Sequence, residues 1–257
     1  MPELEPALRA LRAAGGRAFV PYVTGGLPGV DAGLLRGLET AGADAIEVGI
    51  PFSDPVMDGG VIQEASRRAL AAGARPRAVL ETIREAGLGV PAVVMTYYNP
   101  VLRQGEDAFL EAAASSGVGG IIVPDLPVDE ADGWVSRCRE HRVDPVLLAA
   151  PGATAERFEA IAAAARGFVY CVATYGVTGE RDRLAATAEE VVAALRPLTD
   201  VPLLVGVGIG SPAQAAEACA FADGVIVGSV LVRRLLEGDA AGALDLARAF
   251  RAAVRPS

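Results

Sequence analysis

Eight short, almost continuous apolar runs, mostly spaced about 20–28 residues apart and alternating with helix-forming segments, predict an α/β chain folded as a (β/α)8 TIM barrel with an extra N-terminal helix. Three observations carry the prediction. The runs lack apolar/polar alternation, as strands covered on both faces do. Each interval is long enough for a helix and two short loops. The length, 257 residues, fits one closed barrel spanning 1–257. An open doubly wound sheet shares the alternation, but eight evenly spaced units favour closure.

The runs are AFVPYV (18–23), AIEVGI (45–50), AVVMTY (92–97), GIIVPD (120–125), PVLLAA (145–150), FVYCVA (168–173), PLLVGV (202–207) and GVIVGS (224–229). A helix over 3–13 precedes the first and is placed to cover the barrel bottom. GLLRGLETAG ends at Gly42, a helix-stopping residue. Two helical segments in series, 61–72 and 76–86, account for the longer second interval. Ser211 and Pro212 suit the N-cap and first position of the helical segment SPAQAAEACA, and 240–254 closes the ring. No linker or low-complexity stretch interrupts the rhythm.

Composition excludes several function classes. A net charge of −9 argues against nucleic acid as a partner, because phosphate backbones select basic surfaces. Any phosphate must instead be held locally, by backbone N–H groups. The three cysteines, Cys138, Cys171 and Cys219, show no CxxC spacing and suit a reducing cytosol. The single histidine, His141, lies in a charged run, which disfavours a histidine metal site or a Ser-His-Asp triad and reads as a solvated helix end. The N-terminus lacks a signal-peptide pattern, and no apolar run reaches the ~20 residues that span a bilayer. A cytoplasmic location, with no membrane contact, is expected.

Chemistry in such a barrel belongs at the C-terminal ends of the strands. Glu47 lies between Ile46 and Val48 inside an apolar run. A carboxyl there must face the barrel mouth, where burial raises its pKa toward general acid–base work, or else pair with an arginine. Asp54 and Asp58 follow in a loop limited by Pro51 and Pro55 and freed by Gly59 and Gly60; Asp54, in Ser-Asp-Pro, also suits a plain turn. TYGVTGERDR, with Thr178 between Val177 and Gly179, reads as a loop able to fold over a ligand. GVGIGSPAQ after the seventh run and VGSVLV after the eighth match the phosphate site that barrels build there, with Gly208, Gly210, Gly228 and Ser229 as candidates. A dinucleotide fingerprint fails, because the glycines come late and lack the acidic partner. Asp125, between prolines, is placed to hold a loop. Tyr170 is placed to bring a hydroxyl near Glu47. Met95, Ile122 and Phe52 suit either an apolar pocket or plain core.

The stretch IEVGIPFSDPVMDGGVIQ resembles the signature of the tryptophan synthase alpha subunit family, as do FVPYVTGGLPG, MTYYNPV, GIIVPDLP, YGVTG and GVIVGSVLV in the same order. The resemblance covers nearly the whole chain. It implies retro-aldol cleavage of indole-3-glycerol phosphate to indole and glyceraldehyde 3-phosphate, with no metal and no cofactor, and a beta subunit as partner. It also implies Glu47, Asp58 and Tyr170 as catalytic residues. Tyr22, Met95, Ile122, Thr178, Gly179, Gly208, Gly228 and Ser229 become substrate-binding, and Asp54 and Asp125 loop-positioning. The chain departs from the pattern at MDGG, where Gly60 replaces a usual proline, at Val207 for a usual phenylalanine, at Gly210 for a usual serine, and at the ATY before GVTG. These changes leave open a stand-alone indole-releasing lyase. A regulatory partner without turnover is the other alternative, disfavoured by the joint presence of Glu47, Asp58 and the glycines.

Overall fold

Eight parallel strands close in sequence order into a barrel in the computed structural model, which describes residues 3–173 and 181–254, the side chains of 181–186 excepted. The strands are β1 (Ala18–Thr24), β2 (Ile46–Gly49), β3 (Ala92–Met95), β4 (Val118–Ile122), β5 (Asp144–Ala149), β6 (Val169–Val172), β7 (Leu203–Gly206) and β8 (Gly224–Val227). Each expected run overlaps its strand, with β1, β4 and β5 reaching one or two residues outside it, and most strands stop earlier than the apolar composition does. Apolar residues continue onto the loops: Thr96 and Tyr97 follow β3, and Val123 follows β4.

The helices α1 (Leu4–Ala13), α2 (Ala32–Thr40), α3 (Gly60–Ala71) and α4 (Pro76–Ala86) match the expected segments within about a residue or two. The interval after β3 holds two helices, α5 (Tyr98–Gln104) and α6 (Glu106–Ser115), a division not apparent in the sequence and made at Gly105, whose φ is +88°. Then follow α7 (Asp132–Glu140), α8 (Ala155–Ala164), α9 (Arg181–Leu195), α10 (Pro212–Ala218), α11 (Ser229–Leu236) and α12 (Ala240–Val254). Ser211 caps α10 as expected, its hydroxyl accepting from the Gln214 amide at 3.3 Å.

Two apolar cores result. One lies between the barrel and its helices. The other fills the barrel with inward side chains of alternate strand positions, including Val20, Ala45, Val93, Ile122, Val146, Phe168, Leu204 and Ile226. The expected N-terminal helix closes its floor. Leu4 and Leu8 of α1 are buried in the inner core, and a Cβ on Gly120 or Gly167 would lie 2.5 or 2.6 Å from Leu4 Cδ2. These glycines leave the space that the leucine fills.

His141 caps the C-terminus of α7, as a helix-end residue should, but it is not simply solvated: its Nε2 lies 3.4 Å from Asp107, which also pairs with Arg137. The next residue, Arg142, has φ +57°. It occupies the left-handed position of a Schellman motif, with Val143 N–H donating to the Cys138 carbonyl and Arg142 N–H to the Arg139 carbonyl. Glycine fills the corresponding place after α1, α2 and α3, at Gly15, Gly42 and Gly73. Arg142→Gly is therefore expected to stabilise the fold by about 0.5–1 kcal/mol, read as a higher urea midpoint at unchanged m-value.

Candidate active site

The inward rows of the barrel continue upward from apolar to polar. Two residues beyond Val20, Ala45, Val93 and Phe168 come Tyr22, Glu47, Met95 and Tyr170, on the same faces of their strands. Glu47 is in register with Tyr22 on one side and Val93 on the other. Together with Asp58, Gly208, Gly228 and Ser229 these residues line a cavity of about 260 Å³ at the barrel mouth. One cavity thus gathers residues that are up to about 200 positions apart in sequence.

Glu47 is 1% exposed, and its Oε2 has no hydrogen-bond partner among the described residues. No arginine pairs with it there, so the ion-pair alternative lacks support in the structure. Burial, and secondarily the nearby charge of Asp58, raise its pKa to about 8. Most Glu47 side chains therefore carry a proton at neutral pH.

Asp58 lies in the loop between β2 and α3. Its amide donates to the Pro55 carbonyl at 3.0 Å, and Gln63 Nε2 donates to the Asp58 carbonyl at 2.9 Å. Gly60, the departure expected to loosen this loop, is instead the first residue of α3. Burial raises the Asp58 carboxyl to about 6, opposed by a hydrogen bond from Tyr97. The same Tyr97 hydroxyl accepts from the Met57 amide at 2.9 Å, and its ring stacks on Phe52 with centroids 5.1 Å apart. Tyr97 stands within the MTYYNPV motif yet was not among the expected site residues, because an aromatic after a strand reads as core.

Tyr22 is buried and Tyr170 half-buried, and both hydroxyls are held well above their usual range, by desolvation first. Each ring lies across a glycine: a Cβ on Gly206 would collide with the Tyr170 hydroxyl, and one on Gly49 with that of Tyr22. The close approach requires glycine at both positions.

The opposite wall is backbone. Val207 and Gly208 leave β7 with φ +67° and +88°, and α11 starts at Ser229 with no side-chain cap. The Leu231 and Val232 amides return to the Gly228 carbonyl, while Ser229 and Val230 line the cavity ahead of them. An N-terminus of this kind presents N–H groups and a positive dipole end to an anion. Gly210 contributes differently from the expectation, since its amide already donates to Gln214 Oε1 at 2.8 Å. Val207 is a β-branched residue in a left-handed conformation, and it is half-exposed on the cavity wall where the expected departure from phenylalanine falls.

Four expected residues lie off the cavity, Phe52 among them, stacked on Tyr97. Ile122 is 1% exposed in the inner core, because β4 turns it inward below the mouth. Asp54 is exposed and accepts from the Ser53 hydroxyl, a local turn contact. Asp125 accepts from the Tyr98 amide at 2.9 Å and so ties the loop after β4 to the start of α5. Thr178 and Gly179 lie outside the described residues.

Comparison with known proteins gives the site a family. The model for the tryptophan synthase alpha chain matches residues 8–254. The chain belongs to the tryptophan synthase alpha chain family. It is 46% identical over 238 residues to the alpha chain of Mycobacterium tuberculosis, covering 91% of this chain and 88% of that one. It is 41% identical to the alpha chain of a Picosynechococcus strain, covering 97% of both. Among solved structures, a tryptophan synthase from M. tuberculosis superposes with a TM-score of 0.91 at 42% identity, over 99% of this chain and 98% of that one. The alpha subunit from Legionella pneumophila superposes with a TM-score of 0.90 at 32% identity, again over 99% and 98%.

Proposed function

We propose that this chain cleaves indole-3-glycerol phosphate to indole and glyceraldehyde 3-phosphate, as the alpha subunit of a tryptophan synthase in tryptophan biosynthesis. The observation that carries the reading is a buried Glu47, its Oε2 without a hydrogen-bond partner among the described residues, sharing one cavity with Asp58 and with the uncapped start of α11. Family membership supplies the substrate. No described helix is long and apolar enough to cross a membrane, and we place the reaction in the cytoplasm, in a single barrel unit spanning 1–257.

The geometry suits a retro-aldol step run by carboxyl groups. Breaking the bond between indole C3 and the glycerol chain requires C3 to take a proton, which leaves positive charge at the ring nitrogen. Glu47, protonated near neutrality, donates that proton. Asp58, largely ionised above its pKa of about 6, stabilises the charge at the N–H. The Glu47 carboxylate then takes the proton from the glycerol hydroxyl. The O–H pair forms the aldehyde carbonyl, the C–C bond breaks, and its electrons return to the indole ring. Glu47 ends protonated, as it began. The sequence contains no lysine, so a Schiff-base aldol cleavage through a lysine amine is not open to this chain. The α11 N-terminus, Gly208 and Gly228 hold the phosphate. Thr178 and Gly179 belong to the same proposed binding set, and Tyr170 and Tyr22 pack around the reacting carbons.

The partner is a tryptophan synthase beta subunit. Val56, 78% exposed in the loop after β2, and Leu102, 55% exposed on α5, give this end of the barrel apolar surface suited to a protein partner. The test is indole release by the purified chain across pH, with and without a beta subunit. The expected result is a slow reaction, fastest between about pH 6 and 8 and stimulated many-fold by the partner. No indole under either condition would sink the reading, and a high rate unchanged by the partner would favour a stand-alone lyase.

A further inference from the structure

We infer that Tyr97 is the positioning residue of this site, aiming the Asp58 carboxylate into the cavity and fixing the loop that carries it. The inference deepens the lyase reading and rests on it for the role of Asp58.

A phenol hydroxyl has one hydrogen to give and lone pairs to accept. The Met57 amide can only donate, and it donates to Tyr97 Oη at 2.9 Å. The hydroxyl hydrogen is thereby left to serve the neighbouring carboxyl of Asp58, which lines the cavity. One oxygen thus holds the Met57 amide and serves the carboxyl of the next residue in the loop. That oxygen is itself held firmly. The Tyr97 residue is 2% exposed, its ring stacks on Phe52 from the same loop at 5.1 Å, and the next amide in the chain, Tyr98, is caught by Asp125 at 2.9 Å. The loops after β2, β3 and β4 are joined at two successive residues, the Tyr97 side chain and the Tyr98 amide.

The surroundings of Asp58 make the bond matter. Tyr22 from β1, Glu47 from β2 and Tyr170 from β6 all interact with its charge, and none is a cation. Asp125 acts in the same sense on Tyr97. Burial disfavours the Asp58 anion, and the Tyr97 hydrogen bond is the influence that favours it. A hydroxyl serving only to fill core would not touch this balance.

Tyr97→Phe keeps the ring and its stacking and removes one oxygen. In the purified full chain, the acid limb of kcat/KM for indole release is expected to move up by about one pH unit, so that the rate near pH 6 falls about fivefold while that near pH 8 changes little. The Met57 amide, followed by NMR hydrogen exchange without substrate, is expected to lose its protection. A loss of rate that is equal at all pH values, or a Met57 amide as protected as before, would overturn the inference. A parent chain that releases no indole would overturn the lyase reading instead, and the exchange measurement would still decide the role of Tyr97.

Discussion

Glu47→Gln is expected to abolish most indole release while making the folded protein more stable in alkali. The amide cannot deliver the proton to the ring carbon, and loss of a general acid–base typically costs about 10²–10⁴-fold in turnover. The stability change follows from where Glu47 sits. Its folded pKa is about 8, against about 4.5 for an exposed glutamate. Below pH 4.5 both folded and unfolded chains hold the proton. Between 4.5 and 8 the unfolded chain ionises and the folded one does not, so stability falls as pH rises, by at most about 1.4 kcal/mol per unit. Above pH 8 the folded protein carries a buried anion. Glutamine removes this dependence. Urea unfolding should show the variant and parent nearly equal at pH 5 and the variant ahead by about 2–4 kcal/mol at pH 9. A variant that kept activity within a few-fold, or gained no stability at pH 9, would contradict the proposed role and environment of Glu47.

Leu4→Ala should act on stability alone. Leu4 is fully buried, and its side chain fills the space left by Gly120 and Gly167 at the barrel floor. Neither glycine has a side chain with which to repack, so the void should persist and cost about 2–5 kcal/mol, read as a lower urea midpoint. The floor lies at the opposite end of the barrel from Glu47 and Asp58, so kcat/KM of the folded fraction should stay within about twofold. A stability loss below about 1 kcal/mol would mean that α1 is not the floor of the inner core.

The two ends of the barrel also differ in how far they could be read from sequence. The strands were legible because burial on both faces writes a continuous apolar run. Their C-terminal limits were not, since residues such as Val123 and Tyr97 stay buried in the loops after the ladder ends. Glu47 was legible as a carboxyl where none is cheap to bury, and Asp125 as a loop-holding residue, though its partner, the Tyr98 amide, could not be foreseen. Ile122 and Met95 show the limit of composition. Both are apolar strand ends paired across β3 and β4, yet one reaches the cavity and the other stays in the core, a distinction set by barrel stagger. Gly210 looked equivalent to Gly208 until Gln214, four residues on, took its amide. Tyr97 was illegible because its importance lies in a contact with a residue 40 positions earlier.

That contact bears on the entropy of binding. Residues 50–59 connect β2 to α3, and a free loop of this length would have to be ordered whenever a ligand closed the cavity. Ordering backbone costs about 1–2 kcal/mol per residue. With Met57 held by Tyr97, Asp58 N–H on Pro55 and Gln63 on the Asp58 carbonyl, much of that ordering is complete before any ligand arrives. More of the interaction energy at the mouth is then left for recognition and chemistry than for arranging the loop.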